Sequence, residues 1–235
     1  MPRSLSSLRA AMGERPIDGI FIKIGAVEVV ELAAQTYDFA VVDLEHSSLS
    51  DSDAIRLVGH AHALGFPLLV RLPAVDQGLI NRLLEAGAVG MQVSSVRTAG
   101  EVHAARNVMR YPPRGTRSVS LAHRMAGYGA EPLAAYLAAA QEPLLVAQIE
   151  TADTGDLLAG IMAAGPDVVF IGTTDLAVDL GLDQEQLSRR IAEIAEAAAG
   201  GGIALGGFAL ARPEARYRVD SSDIALLRTA MVDGR

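Results

Sequence analysis

The sequence predicts a (β/α)8 (TIM) barrel, an α/β fold, because short apolar runs alternate with helical patterns along its 235 residues. Seven runs of strand length are clear, and VDSSD near the C-terminus is a weaker eighth. Alternating strands and helices pair in parallel, and near-continuous apolar strands indicate a sheet covered on both faces. A doubly wound open sheet is the alternative, but no strand is followed by a G-x-G-x-x-G turn. We therefore expect one barrel domain over residues 1–235.

The predicted strands follow one another in a regular order. They are GIFIKIG, FAVVDLE, PLLVRLP, GMQVSSV, PLLVAQIE, DVVFIGTTD and IALGGFAL. Helical patterns between them include DAIRLVGHAHALG, GLINRLLEAGA and AGEVHAARNVMR. Several of these helices are expected to end at a glycine, since a left-handed residue commonly closes a helix: Gly65, Gly87 and Gly165.

The last βα unit is predicted to be shortened. Only PEARYR separates FALAR from VDSSDIALLR, whereas a crossover between parallel strands normally needs about 10–12 residues. Either the eighth strand forms after a compressed connection, or the barrel closes imperfectly at this point.

Composition excludes several classes of function. The net charge is −8 and no basic cluster occurs, which argues against nucleic acid or an anionic membrane as a partner. No apolar run approaches the ~18 residues of a membrane span, and the N-terminus lacks a signal-peptide core. These features predict a cytoplasmic protein. The absence of cysteine excludes disulfides, thiolate metal sites and a cysteine nucleophile.

Polar residues gather at the carboxyl ends of four apolar strands, where a barrel places its catalytic groups. In chain order they are Asp43, Glu45, His46, Arg71, Gln148, Glu150, Gly172, Thr173, Thr174 and Asp175. Structural roles are also conceivable, since Arg71 could pair with Glu150 and Asp175 could cap the following helix. Four strands that end in this way favour a site.

The residue types at these strand ends suit enolate chemistry assisted by a metal. Glu150 and Asp175 end adjacent strands, and two carboxylates without histidine or cysteine suit a hard cation such as Mg²⁺ or Mn²⁺. Arg71 offers fixed donors to an enolate oxygen, and a histidine such as His46 can accept a proton near neutral pH. Together they fit a reaction through the enolate of a 2-oxo acid.

Six blocks of the sequence occur in an order known from one enzyme family. They are YDFAVVDLEHSS, LLVRLP, LLEAGAVGMQV, RYPPRGTRS, LLVAQIET and DVVFIGTTDLAVDLG. From about Leu8 to Asp223 the chain resembles the HpcH/HpaI aldolases, the metal-dependent (class II) pyruvate aldolases of the phosphoenolpyruvate/pyruvate superfamily. The resemblance implies cleavage of a 4-hydroxy-2-oxo acid into pyruvate, or a close analogue, and an aldehyde. It also implies a divalent metal (Mg²⁺, Mn²⁺ or Co²⁺) and a homo-oligomer, a trimer or a hexamer.

The resemblance also implies a role for each site residue. Glu150 and Asp175 match the metal ligands, and Gln148 and the backbone at Thr174 match contacts to the 2-oxo acid. The same substrate-binding group is expected to include Gly172 and Thr173.

Four further residues match the catalytic positions of the family. His46 matches the general base that acts on the 4-hydroxyl through water, and Arg71 the residue that steadies the enolate. Asp43 matches a carboxylate behind the waters of the metal. Glu85 stands where the family usually has an aspartate that raises the basicity of the histidine.

The sequence departs from the family pattern at three other positions. Thr173 occupies a position in GTTD where G-P-x-D is common, Ser94 replaces a usual proline, and Ser118 follows Arg117 where glycine is expected. Each change could reshape the barrel mouth and alter the aldehyde preference.

Three other interpretations remain open. A Schiff-base aldolase needs a desolvated lysine, and Lys23, the one lysine of the chain, is its candidate. Lys23 is otherwise expected to be an ion-pair partner in the barrel mouth. A lyase of the same superfamily could act on an acyl-CoA ester such as citramalyl-CoA or on a citrate-like substrate, although no basic groove for a nucleotide is evident. A non-catalytic barrel that binds a small acid is the third possibility.

Overall fold

The computed structural model describes residues 5–234, with side chains from residue 8 onward, and it contains a closed barrel of eight parallel strands. The strands are β1 Ile17–Ile22, β2 Phe39–Asp43, β3 Leu68–Leu72, β4 Gly90–Val93, β5 Leu144–Ile149, β6 Val168–Ile171, β7 Ala204–Phe208 and β8 Tyr217–Ser222. The predicted (β/α)8 fold is confirmed, including the weak eighth strand.

Helices surround the barrel. They are α1 Leu5–Glu14, α2 Val27–Thr36, α3 Asp51–Leu64, α4 Gln77–Ala86, α5 Ala99–Met109, α6 Leu133–Ala139, α7 Leu158–Ala163, α8 Thr173–Asp179, α9 Gln184–Gly201 and α10 Asp223–Arg228. A 3-10 helix spans Arg124–Gly129, and a π-helical turn spans Thr229–Asp233.

The helix ends agree with the sequence pattern. Gly65 and Gly87 follow α3 and α4 with φ values of 68° and 113°, and Gly165 lies just after α7 with a φ of 76°. Only glycine adopts this left-handed conformation at low cost, so these three positions terminate their helices as predicted.

The apolar core has two layers, because alternate strand residues face opposite sides of the sheet. One layer lies between the strands and the helices, and the other fills the barrel interior. Phe21 on β1 and Phe170 on β6 belong to the interior layer. Their ring centroids are 6.3 Å apart although β1 and β6 are not neighbours in the sheet, so the two rings meet across the barrel. Above this apolar interior, the inward positions at the strand ends are polar.

The barrel closes without a helix between β7 and β8. Residues 209–216 form the whole connection, and β8 pairs in parallel with both β7 and β1. The pairing with β1 shifts its register between Gly19 and Phe21. Of the two outcomes expected for the shortened last unit, the compressed connection is the one observed.

No helix in the described part of the chain is both long and apolar enough to cross a membrane.

Candidate active site

The polar strand ends meet at the mouth of the barrel, around two adjoining cavities. The first, of about 280 Å³, is lined by residues that include Lys23, His46, Arg71, Gln148, Gly172, Thr173, Thr174 and Asp175. The second, of about 290 Å³, is lined by Glu45, His46, Ser95, Glu150, Thr151, Asp175, Val178 and Asp179. Because both cavities include His46 and Asp175, they form one recess. Phe21, Phe170 and Phe208 give the first cavity its apolar part.

Asp43 is the centre of a buried ion-pair cluster. Its carboxylate accepts hydrogen bonds from Nε and Nη2 of Arg71 at 2.8 and 2.6 Å, and Nζ of Lys23 lies 2.8 Å from Oδ2. The backbone N–H groups of Glu45 and His46 also donate to Oδ1, each at 3.1 Å. Burial alone would raise the pKa of Asp43, but the hydrogen bonds from Arg71 and Lys23 outweigh it and hold that pKa well below its usual range.

Arg71 is fixed on three sides. Besides its two bonds to Asp43, its Nη1 lies 3.4 Å from Oε2 of Glu45, and its guanidinium lies 4.5 Å above the ring of Phe21. The alternative pair between Arg71 and Glu150 is not formed, because the parallel register sets Asp43 directly opposite Arg71. A guanidinium held in this way is a rigid donor at the floor of the recess.

Lys23 is an ion-pair partner in the barrel mouth, as expected. Its ammonium also donates to the carbonyl oxygen of His46 at 3.0 Å. A Schiff base requires a neutral amine that is free to attack, whereas this lysine is engaged by Asp43 and by the backbone.

Glu150 ends a chain of hydrogen bonds that starts on β4. Nε2 of Gln92 donates to Oε1 of Gln148 at 2.6 Å, and Nε2 of Gln148 donates to Oε2 of Glu150. The other oxygen of Glu150 accepts the backbone N–H and the hydroxyl of Ser95, at 2.8 and 2.6 Å. A Cβ at Gly172 would lie 2.4 Å from Oε2 of Glu150, so only glycine leaves room for this carboxylate.

Glu45 is the carboxylate nearest to His46. Its Oε2 lies 3.7 Å from Nε2 of His46 and accepts a 2.5 Å hydrogen bond from the hydroxyl of Ser94. The His46 side chain is 54% exposed, so it faces the recess with access to water.

Glu85 does not contact His46 in the described chain. It accepts a 3.3 Å hydrogen bond from Asn81 and lies 4.0 Å from Nε2 of His123. Glu85 lies near the C-terminal end of α4. A helix that follows a barrel strand runs back from the mouth toward the opposite face of the barrel, so this end of α4 is directed away from His46. The expected pairing of Glu85 with His46 is therefore not formed within one chain, and Glu45 is the carboxylate that lies beside His46.

Asp175 lies in the first turn of α8 but does not cap it, because the N-cap is Gly172. Its side chain is exposed, and among residues 8–234 it has no hydrogen-bond or ion-pair partner. The described residues contain no group of three or more histidine, cysteine or acidic side chains that could hold a metal. Two carboxylates, Glu150 and Asp175, nevertheless line one recess, and an all-oxygen pair fits a hard divalent cation completed by water and substrate oxygens.

Sequence reasoning missed the part played by the strand β4. Ser94 and Ser95 follow it directly and hold Glu45 and Glu150, and Gln92 within it holds Gln148. A signal was present, since GMQVSS places a glutamine and two serines in and just after an otherwise apolar strand. Ser95 also has a φ of 53°, which no sequence pattern indicates.

Comparison with known proteins identifies the family. The family model described as HpcH/HpaI aldolase/citrate lyase matches residues 24–222, most of the chain and all the strand ends described above. The chain belongs to this family. A hydroxypyruvate/pyruvate aldolase of Paraburkholderia phytofirmans is 32% identical over 219 residues, covering 88% of this chain and 84% of that protein. A 4-hydroxy-2-oxovalerate aldolase of Novosphingobium aromaticivorans is 33% identical over 187 residues, covering 77% and 70%.

Solved structures of the HpcH/HpaI family share the whole fold. A family member from Burkholderia cenocepacia superposes with a TM-score of 0.88 at 27% identity and covers 97% of both chains. The protein is thus an aldolase, a carbon-carbon lyase with small-molecule substrates, in a family that generally depends on a divalent metal.

Proposed function

We propose that this HpcH/HpaI protein cleaves a 4-hydroxy-2-oxo acid into pyruvate, or a close analogue, and an aldehyde, or catalyses the reverse addition. The observation that carries the proposal is the recess in which a fixed Arg71 and an exposed His46 lie beside Glu150 and Asp175. The names of the relatives, which include a 4-hydroxy-2-oxovalerate aldolase, support the substrate class.

Glu150 and Asp175 would hold the divalent cation, Mg²⁺, Mn²⁺ or Co²⁺. When bound, such a cation acts as a Lewis acid that polarises the keto oxygen of a 2-oxo acid. Gln148 and Ser95 orient the Glu150 carboxylate through their hydrogen bonds, which occupy both lone pairs of Oε1 and leave one lone pair free on Oε2. Gly172, Thr173 and Thr174 line the same recess and would contact the carboxylate of the substrate.

Arg71 and His46 would perform the two steps that the chain itself must supply. Cleavage between C3 and C4 leaves negative charge on the former keto oxygen, and the fixed guanidinium of Arg71 stabilises it there. His46 takes the proton of the 4-hydroxyl through a water molecule, which its exposure permits. Asp43 positions Arg71, and Glu45 is the carboxylate that we propose to support His46.

We also propose that the chain forms a homo-oligomer, a trimer or a hexamer. The C-terminal segment, α10 and the following π-helical turn, exposes five apolar side chains to solvent. They are Ile224, Leu226, Leu227, Met231 and Val232, each 46–60% exposed. Such a continuous apolar strip is typical of an interface.

The deciding experiment measures pyruvate release from a panel of 4-hydroxy-2-oxo acids with Mg²⁺ or Mn²⁺, and again after chelation with EDTA. Chelation should abolish activity and added metal should restore it. Glu150→Gln keeps the size of the side chain but removes its charge and one of its two acceptor oxygens, so kcat/KM should fall on the order of 100-fold or more. Glu185→Gln, on the exposed first turn of α9, is the matched control and should leave activity unchanged.

Lys23→Met separates the two aldolase chemistries. Under the proposal it keeps measurable, metal-dependent activity, because Lys23 only supports Asp43 and the backbone at His46. Activity that survives EDTA and disappears in Lys23→Met would instead establish a Schiff-base enzyme.

A further inference from the structure

A cavity of about 420 Å³ lies on the face of the barrel opposite the mouth. Phe66, Val89 and Pro143, which lie one or two residues before β3, β4 and β5, line it, and so do the glycines that end α3 and α4. We call it the tyrosine cavity after Tyr111 and Tyr136 in its wall. It shares no lining residue with the two cavities of the mouth, and its volume falls within the range of small-molecule sites.

Arg117 brings an unpaired charge to this cavity. The residue is only 6% exposed, and its guanidinium stacks 4.5 Å above the ring of Tyr111. Nε donates to Asn81 at 3.2 Å, but Nη1 and Nη2 have no hydrogen-bond or ion-pair partner in the part of the chain that the structure describes. A buried arginine is normally paired, so the free donors of Arg117 at the cavity wall are available to an anion.

Among the described residues, no acidic side chain lines the tyrosine cavity. Two carboxylates adjoin lining residues in the sequence, and both are already engaged elsewhere. Glu142 pairs with Arg110 at 2.6 Å and also with Arg114. Glu85 accepts from Asn81 and faces His123. The charge of Arg117 is therefore not neutralised from inside the described chain.

The tyrosine pair supplies a further donor. The two hydroxyls lie 2.6 Å apart, and since only one of them donates in this bond, the proton of the other remains free. Burial, together with the hydrogen bond to Tyr136, raises the pKa of Tyr111, so its hydroxyl stays protonated at neutral pH. Burial and the charge of Arg124 lower the pKa of His62 in the same wall, which leaves Arg117 as the cation of the cavity.

We propose that the tyrosine cavity binds a small organic monocarboxylate with an apolar body. The carboxylate would accept hydrogen bonds from Arg117 and from the free tyrosine hydroxyl, an arrangement in which a charged donor and acceptor bind strongly. The apolar body would pack against Phe66, Leu84 and Met125. The site is separate from the aldolase recess and does not depend on the proposed reaction.

The test is calorimetric titration of the full chain with benzoate and with isovalerate, in the presence and absence of excess pyruvate. At least one acid should bind once per chain, with pyruvate leaving the binding unchanged. Benzamide, which matches benzoate without its charge, should bind at least about tenfold more weakly. Arg117→Met should weaken acid binding by at least about tenfold. Arg114→Met, at an exposed neighbouring arginine that does not line the cavity, is the control and should bind like wild type.

Three results would overturn the proposal: neither acid binds, binding is retained in folded Arg117→Met, or pyruvate displaces the acid and so places it in the barrel mouth. If circular dichroism shows that Arg117→Met is unfolded, Tyr136→Phe takes its place. This variant keeps the ring and removes one hydroxyl, so binding should weaken several-fold, and wild-type affinity in it would count against the site.

Discussion

At the scale of single residues, Asp43 shows how an apolar barrel holds a charge inside. The carboxylate is fully buried, and two cations and two backbone N–H groups bind it. Removing a carboxylate from water is costly, and these partners offset that cost only as a set. The same set fixes the direction of Arg71, so stability and the proposed catalysis depend on one cluster.

Asp43→Asn should lower the free energy of unfolding by about 3–5 kcal/mol, because two buried cations lose their counter-charge. Urea unfolding at neutral pH measures the change. Asp51→Asn removes a carboxylate whose pair with Arg82 is exposed, so its effect should stay below about 1 kcal/mol. Equal effects of the two substitutions would show that the buried cluster is not a stabilising unit.

The stability that Asp43 contributes should depend on pH. Its pKa in the folded chain is lowered, whereas an unfolded aspartate has a pKa of about 3.9. The contribution is therefore complete above about pH 4 and is lost as the pH falls toward the lower, folded value. The difference in unfolding free energy between wild type and Asp43→Asn should be largest at pH 6 and narrow below about pH 4. A difference that widens on acidification would contradict this assignment.

Gly172 is needed for space rather than for an unusual backbone conformation. Its φ of −81° suits any residue, but a Cβ would lie 2.4 Å from Oε2 and 2.7 Å from Cβ of Glu150. A methyl group must therefore push the Glu150 carboxylate away from its position.

Gly172→Ala should reduce kcat/KM on the order of 100-fold, since a displacement of about 1 Å in a catalytic group has an effect of that size. Gly160→Ala is the matched control, because no atom lies within 4 Å of a Cβ there and the residue is inside α7. It should keep full activity and gain up to about 1 kcal/mol of stability. Steady-state kinetics of both variants is the measurement. Wild-type activity of Gly172→Ala would refute the steric account.

At the scale of elements, the end of β4 and the start of α10 secure the mouth from two sides. On one side, Ser94 and Ser95 hold Glu45 and Glu150. On the other, the first residue of α10, Asp223, accepts hydrogen bonds from the N–H groups of Lys23 and Ile24 at 2.9 and 2.8 Å. The hydrogen bonds to Asp223 join the start of α10 to the end of β1.

Asp223→Ala should lower the unfolding free energy by about 1–3 kcal/mol, because it leaves two backbone donors without their acceptor. Hydrogen exchange at Lys23 and Ile24 should quicken in the same variant. Asp223→Asn keeps a carbonyl oxygen and should recover most of the loss. If the alanine and asparagine variants are equally destabilised, the hydrogen bonds to β1 are not what Asp223 contributes.

At the scale of the whole molecule, the last βα unit dispenses with a helix and the barrel still closes. Residues 209–216 must run from the end of β7 back to the start of β8. They are long enough to do so because the two strands pair through only three residue pairs. The segment that follows, α10 with its π-helical turn, leaves an apolar strip in solvent. The exposed strip is the basis of the oligomer proposed above.

Light scattering should give three or six times the 24.6 kDa mass of the chain. Leu227→Glu with Met231→Glu should reduce that mass, because two charges would have to be buried at the interface. Leu157→Glu is a control at a leucine that is 84% exposed outside this segment, and it should leave the mass unchanged. A wild-type monomer would refute the proposed assembly.

The sequence by itself determined the barrel and the end of the barrel at which the polar residues lie. Both follow from local information, because the alternation of strands and helices sets parallel pairing and parallel pairing brings the carboxyl ends of the strands together. The glycines that end α3, α4 and α7, and the short last connection, could be predicted for the same reason.

Only the tertiary structure decided which side chains are partners. Strand register sets Asp43 against Arg71 rather than Arg71 against Glu150, and register depends on the pairing of the whole sheet. The direction of α4 separates Glu85 from His46, and the left-handed backbone at Ser95 brings its hydroxyl to Glu150. Partners such as these lie tens of residues apart in the chain, where neither propensity nor spacing sets a distance.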